Sequence, residues 1–167
     1  MSKKVTGCIV TYNNMRTIDN AIRSLIENTA CDFSLYAVDN GSTDGTVEYI
    51  KENFPQVTVI ETGANLGFGR GHNFILDKLD SDYHAIINPD VIVRDDIISD
   101  MAAYLDEHQE IGMLSPQIKF PDGRPQILGK KIPLPHVKQY PGAAVKLKVK
   151  AQPVLCSAGA APADVIN

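Results

Sequence analysis

The chain has no run approaching the roughly 20 consecutive apolar residues that a membrane-spanning helix needs. Met1-Ser2-Lys3-Lys4 leads into a short strand-like segment rather than a signal-peptide core, so a soluble, cytoplasmic chain is expected. Cysteine is scarce: Cys8, Cys31 and Cys156 are odd in number, far apart and in no metal-like spacing, which argues against a disulfide framework and a zinc site. Two nucleotide fingerprints are missing as well. A G-x-G-x-x-G read from Gly67 needs glycine where His72 stands, and it would follow the third strand instead of the first; no Walker P-loop occurs anywhere. Glutamate is absent after Glu110.

What is present suffices for one ordinary domain: 167 residues, 44% of them hydrophobic, which leaves no room for a second full domain. The net charge of −4 hides an asymmetry. Residues 1–126 hold 10 Lys and Arg against 19 Asp and Glu, a net −9, whereas residues 127–167 hold 6 Lys and one Asp, a net +5. The basic tail is either a solvated loop, the blander reading, or a surface for anionic lipid headgroups or a phosphorylated acceptor.

Strand and helix patterns alternate. Val5–Val10 reads as a buried strand, and Ile18, Ala21, Ile22, Leu25 and Ile26 then fall on one helical face. Leu35–Val38 repeats the strand, Val47, Ile50 and Phe54 the helix, and Val57–Ile60 the strand. A glycine-rich turn follows, then a helix carrying Phe74, Ile75 and Leu79, a strand before Asn88, a helix with Ile97, Ile98, Met101 and Leu105, and a strand at 111–114. Repeated βα units predict an α/β fold, a mainly parallel sheet with helices on both faces. Beyond the turn signal of Pro121–Pro125 the pattern degrades; Val145–Lys150 alternates like an edge strand, and 127–167 is expected to be loosely ordered.

In such open sheets the ligand crevice lies beyond the carboxyl ends of the strands. Three polar clusters fall there: Thr11-Tyr12-Asn13, Asp39-Asn40-Gly41-Ser42 and Asn88-Pro89-Asp90. Asp90, helped by Asn88, is a candidate ligand for Mg²⁺ or Mn²⁺, hard cations that often take one or two protein oxygens and complete their shell with substrate phosphates. Taken alone, Asn-Pro-Asp reads first as a turn that caps the helix beginning near Asp95. Asp39, at a buried strand's end, is placed to accept hydrogen bonds from a pyrimidine N–H or a ribose hydroxyl. Ser42 and Asp44 read as turn formers and N-caps of the next helix. Asn65–Asn73 opens a helix with three glycines whose free N–H groups suit phosphate. Arg70 either neutralises that phosphate or lies on a solvated helix start, and His72 reads as a helix-surface residue rather than a base.

The ordered set Val10-Thr11-Tyr12-Asn13, Val38–Gly45, Asn65–Gly69, Asn73 and Asn88-Pro89-Asp90 resembles the family-two inverting glycosyltransferases of the GT-A fold, rhamnosyltransferase-like members most closely. The resemblance spans residues 5–120. It implies that Thr11, Tyr12, Asn13 and Asp39 contact nucleobase and ribose, and that Asn65, Gly67, Phe68 and Asn73 line the nucleotide-sugar pocket. Asn88 stands where many members have the first Asp of Asp-x-Asp, and Asp90 is implied to hold the diphosphate-bound metal. The implied donor is a dTDP-, UDP- or GDP-linked sugar. The implied acceptor is a glycan or lipid-linked molecule, with no nucleic acid involved and the basic tail a candidate for peripheral contact with the inner face of the membrane.

In relatives the catalytic base lies on an acidic motif downstream of a Gly-Ala-containing strand. Ser157-Ala158-Gly159-Ala160 resembles the beginning of that strand, and no matching carboxylate follows it. The expected organisation is therefore a GT-A donor-binding core at 1–126 and the start of an acceptor-side region at 127–167, the family pattern being shortened. Nucleotide binding with little or no sugar transfer is expected. The alternative is a noncatalytic nucleotide-sugar-binding module in polysaccharide assembly.

Overall fold

The computed structural model describes residues 4–120, 122–125, 140–141 and 145–149. Strand β1 (Lys4–Thr11) lies at the centre of the sheet and is buried from Val5 onward, which is why its sequence is a near-continuous apolar run without alternation. It pairs in parallel with β2 (Asp32–Asp39) on one side and β4 (Tyr83–Ile87) on the other, and β3 (Thr58–Glu61) extends the sheet beyond β2. With β5 (Met113–Leu114) and β8 (Val145–Val149) the strand order is β3-β2-β1-β4-β8-β5. A separate parallel pair joins β6 (Pro116–Gln117) to β7 (Tyr140–Pro141).

Helices α1 (Ile18–Glu27), α2 (Thr46–Asn53) and α4 (Ile97–Glu107) pack on one face. Ile18, Ile22, Leu25, Ile50, Ile98 and Leu105 are wholly buried there against Val5, Ile9, Ala37, Ala85 and Ile87. Truncating one of these large aliphatic side chains to Ala costs about 2–5 kcal/mol. The other face carries a small cluster, Cys8, Val10, Val38 and Ile75, covered by α3 (Phe68–Asn73) through Phe68. Gly71 lets α3 settle on β1: a Cβ there would stand 2.7 Å from a methyl of Val10.

Two expectations change. The helix expected to carry Phe74, Ile75 and Leu79 gives way to α3, which begins earlier, followed by a 3₁₀ turn at Leu76–Lys78. The Phe74 N–H already splits between the carbonyls of Arg70 and Gly71, ending α3; Ile75 is buried and Leu79 packs half-buried against the small cluster, while Phe74 is 46% exposed. Val145–Val149 is not an edge strand, because its backbone pairs antiparallel with β4 on one side and β5 on the other. Most of the stretch expected to be loosely ordered, residues 126–139, 142–144 and 150–167 with Ser157–Ala160 among them, lies outside the described residues. No helix of the described residues is long and apolar enough to cross a membrane.

Candidate nucleotide-sugar site

The register sets the site. Thr11 pairs with Asp39 and Ile9 with Ile87, so β1, β2 and β4 deliver Thr11–Asn13, Asp39–Ser42 and Asn88–Asp90 at one end of the sheet. The first two clusters are joined by side chains. Asp39 is 3% exposed, and its carboxylate is fully engaged: Oδ1 accepts from the hydroxyls of Thr11 (3.0 Å) and Ser42, and Oδ2 from the N–H groups of Gly41 (2.9 Å) and Ser42 (2.8 Å). The β2 end also holds the next loop, since Thr62 donates to the Asp39 carbonyl through both its N–H and its hydroxyl, each at 2.9 Å.

Tyr12 crowns β1 with its ring 50% exposed, its N–H donating to Asn14 Oδ1 at 2.8 Å. Asn13, the one non-glycine with positive φ (54°) among the described residues, donates its N–H to Ser42 Oγ at 2.9 Å and accepts at Oδ1 from the Thr43 N–H at 2.8 Å. Such a left-handed residue costs about 1 kcal/mol, least for Asn, and persists only when its surroundings hold it.

The glycine-rich segment forms a third wall. Asn40 Nδ2 donates to the Gly67 carbonyl at 3.2 Å, and Asn65 Oδ1 accepts from the Gly67 N–H at 2.9 Å, closing a turn that Gly67 (φ 76°) makes in the left-handed region. Asn65, Gly67 and Asn73 are exposed; Phe68 is half-buried, packed on the small cluster and edge-on to His72 with 4.4 Å between ring centroids. His72 corrects its sequence reading as a surface residue: it is 4% exposed, because Gly71 draws the helix onto β1. Both its ring nitrogens, like Asn40 Oδ1, are buried without a hydrogen-bond partner among the described residues. Burial, then the neighbouring His84, pushes its pKa down to about 3, which keeps the ring neutral and a poor base.

Asn88 and Asp90 are exposed, and neither side chain has a hydrogen bond or ion pair among the described residues. No cluster of three or more His, Cys, Asp or Glu is assembled to hold a metal among those residues. One unengaged carboxylate and one unengaged amide oxygen nonetheless fit a hard divalent cation whose remaining ligands are phosphate oxygens and water. Arg16, Arg70 and Arg94 are exposed on the segments that leave β1, β3 and β4, and none has an ion-pair partner among the described residues, unlike Arg23 with Asp19 and Arg124 with Asp122. The sequence reading weighed only Arg70; the signal for Arg16 and Arg94 was their position just past strand ends.

Ser42 and Asp44 also do more than the turn-forming assigned to them. Asp44 does accept from the Thr46 N–H, but α2 is N-capped by Gly45 with no side-chain bond, and both side chains reach across to the β1–α1 loop. A cavity of about 280 Å³ lined by Glu27, Asn28, Thr29, Ala30 and Asp96 lies at the C-terminal end of α1, about 15 Å of helix from the Thr11–Asn13 loop, and is not part of the site.

Residues 7–155 match the family described as glycosyl transferase family 2. An N-acetylglucosaminyl-diphospho-decaprenol L-rhamnosyltransferase of Mycobacterium tuberculosis is 31% identical over 125 residues, 68% of this chain and 41% of the relative. The Staphylococcus aureus poly(ribitol-phosphate) β-N-acetylglucosaminyltransferase TarS is 26% identical over 63% of this chain and 19% of its own. A crystal structure of TarS 1–349 with UDP-GlcNAc superposes with a TM-score of 0.65 at 26% identity, over 77% of this chain and 38% of that one. A Pyrobaculum calidifontis mannosyltransferase solved with GDP-Man and Mn²⁺ shares the fold, with a TM-score of 0.64 at 23% identity over 73% of this chain and 37% of its own. The chain thus spans about 41% of the length of the rhamnosyltransferase it matches. The mainly parallel sheet and the match over 7–155 together make this chain a member of glycosyltransferase family 2, with the GT-A fold.

Proposed function

We propose that residues 1–126 form the donor-binding core of a metal-dependent inverting glycosyltransferase. Such an enzyme moves a sugar from a dTDP-, UDP- or GDP-linked donor to a glycan or lipid-linked acceptor. The observation that carries this reading is the meeting, at one sheet end, of a braced polar seat at Thr11–Ser42 and an unengaged carboxylate at Asp90. The nucleoside lies on the braced side, with the exposed Tyr12 ring as its stacking surface and Asn13 beside it. Asp39 reaches the base or ribose by giving up its Thr11 hydroxyl donor, which turns about a single bond, while Ser42 stays in place.

The diphosphate points toward β4, where Asp90 and the Asn88 carbonyl would hold Mg²⁺ or Mn²⁺; a cation there neutralises the departing nucleoside diphosphate. Asn65, Gly67, Phe68 and Asn73 border the sugar side, and Arg16, Arg70 and Arg94 supply positive field for phosphate. Single displacement at the anomeric carbon inverts its configuration and needs a base for the acceptor hydroxyl. None of the described side chains is assigned that task, and the buried neutral His72 is unsuited to it. The basic stretch 127–167 is proposed as the start of the acceptor side, with its lysines meeting anionic headgroups of a membrane surface.

Calorimetric titration of UDP, dTDP and GDP into the 167-residue chain, with Mn²⁺ and with EDTA, tests the reading. Binding that strengthens with Mn²⁺ is expected. Absence of binding by all three nucleotides under both conditions would overturn it.

A further inference from the structure

Three consecutive backbone N–H groups in the β1–α1 loop each donate to a different side chain of the β2–α2 loop or of the first residue of α2: Asn13 to Ser42 Oγ at 2.9 Å, Asn14 to Thr46 Oγ1 at 3.1 Å and Met15 to Asp44 Oδ2 at 3.0 Å. The two hydroxyls are themselves aimed by carboxylates. Ser42 gives its proton to Asp39, and Thr46 gives its proton to Asp44 Oδ1, so each hydroxyl turns a lone pair toward its amide. The Asn13 side chain closes the ring by accepting from Thr43.

The brace does more than start the helices, although Asp44 Oδ1 also takes the N–H of Thr46, the first residue of α2. The Gly45 cap of α2 uses no side chain, and α1 begins with backbone bonds from Thr17 and Ile18 to the Asn14 carbonyl. What the ring does hold is the left-handed Asn13 and, with it, the direction in which Tyr12 leaves the strand.

We infer that Ser42, Asp44 and Thr46 are positioning residues, two carboxylate–hydroxyl relays that hold Tyr12 and Asn13 in the geometry a nucleoside requires. This rests on the functional reading above. Preorganised loops bind more tightly because the ligand does not have to order them.

The test compares Thr46→Val, Thr46→Ser and Ser42→Ala with the unaltered chain, using two probes: UMP, which needs only the braced side, and pyrophosphate with Mn²⁺, which needs only the Asp90 side. Thr46→Val is expected to weaken UMP about tenfold, the equivalent of one buried donor left unpaired. Pyrophosphate binding is expected to stay unchanged, Thr46→Ser to restore UMP affinity, and Ser42→Ala to behave like Thr46→Val. Unchanged UMP affinity, or an equal loss for both probes, overturns the inference. Amide exchange separates it from the functional reading. If the unaltered chain binds none of UMP, dTMP and GMP, that reading fails by itself, while faster exchange at Asn14 in Thr46→Val still supports the brace and unchanged exchange overturns it.

Discussion

The loops that end β1 and β2 differ sharply from the one that ends β4, although the three strands are neighbours in one parallel sheet. The first two are tied to each other by side chains, with Asp39 buried and saturated by donors. In the third, Asn88 and Asp90 are exposed and unengaged among the described residues. A nucleoside is neutral and read by shape and a few hydrogen bonds, so its seat gains from being finished in advance. A diphosphate arrives with its own charge, and a lone carboxylate left free for a cation keeps its coordination capacity unspent. On the proposed reading, the difference separates the seat of the nucleoside from that of the diphosphate.

Removing the free carboxylate breaks the comparison most severely. Asp90→Ala is expected to erase the Mn²⁺-dependent part of UDP affinity, about 100-fold or more if the cation bridges protein and diphosphate. Melting should move little, because an exposed, unpartnered side chain contributes little to stability. An unchanged Mn²⁺ dependence in calorimetry would remove the metal from this loop. Asp39→Ala should do the reverse. It strands the hydroxyls of Thr11 and Ser42 and two N–H groups, and is expected to cost about 2–4 kcal/mol in denaturant unfolding. UMP and free uridine should weaken together. Loss confined to diphosphates would contradict the nucleoside role.

Acid sharpens the comparison through the third wall. His72 has a folded-state pKa of about 3 against an ordinary value of 6.5, so the unfolded chain takes up the proton first. Stability from this group is whole above about pH 6.5 and falls as pH drops, by up to about 1.4 kcal/mol per pH unit, until the pH approaches its folded value. Asp44 runs on a different window. Burial acts to raise its pKa, but the bonds from the Thr46 hydroxyl and the N–H groups of Met15 and Thr46 prevail and hold it below its ordinary 3.8, so its contribution is lost only as pH falls below that range. Between about pH 6 and 4.5 the glycine segment should therefore loosen while the brace stays closed. His72→Phe should flatten that slope in unfolding measured across the interval; an unaltered slope would assign the acid sensitivity elsewhere.

The helical faces of α1, α2 and α4 were legible in the sequence because each carries enough apolar residues at helical spacing to bury a full stripe. The residues around Phe74 misled because their apolar spacing is real but short, while the close contact of Gly71 with Val10, a tertiary fact, fixes where α3 lies. His72 was misread for the same reason. Val145–Val149 alternates, as an edge strand does, and only the register shows two paired sides. In the site, residue types announced Asp39 and Asp90, but nothing in a single chain says that Thr46 lies against Asn14, a contact across 32 positions that only the parallel register of β1 and β2 creates.

The smallest predicted effect asks whether the open loop is tuned. Asn88 offers an amide oxygen where a second carboxylate would double the formal charge of the cation seat. Asn88→Asp adds one negative charge at an exposed position, where water screening limits a charge pair about 4 Å apart to about 1 kcal/mol. Mn²⁺-dependent UDP binding should therefore tighten about fivefold, with UMP unchanged, because the braced side is untouched. If both ligands respond equally, the two halves are not separate; if neither responds, Asn88 lies outside the cation's reach and Asp90 acts with phosphate oxygens and water alone.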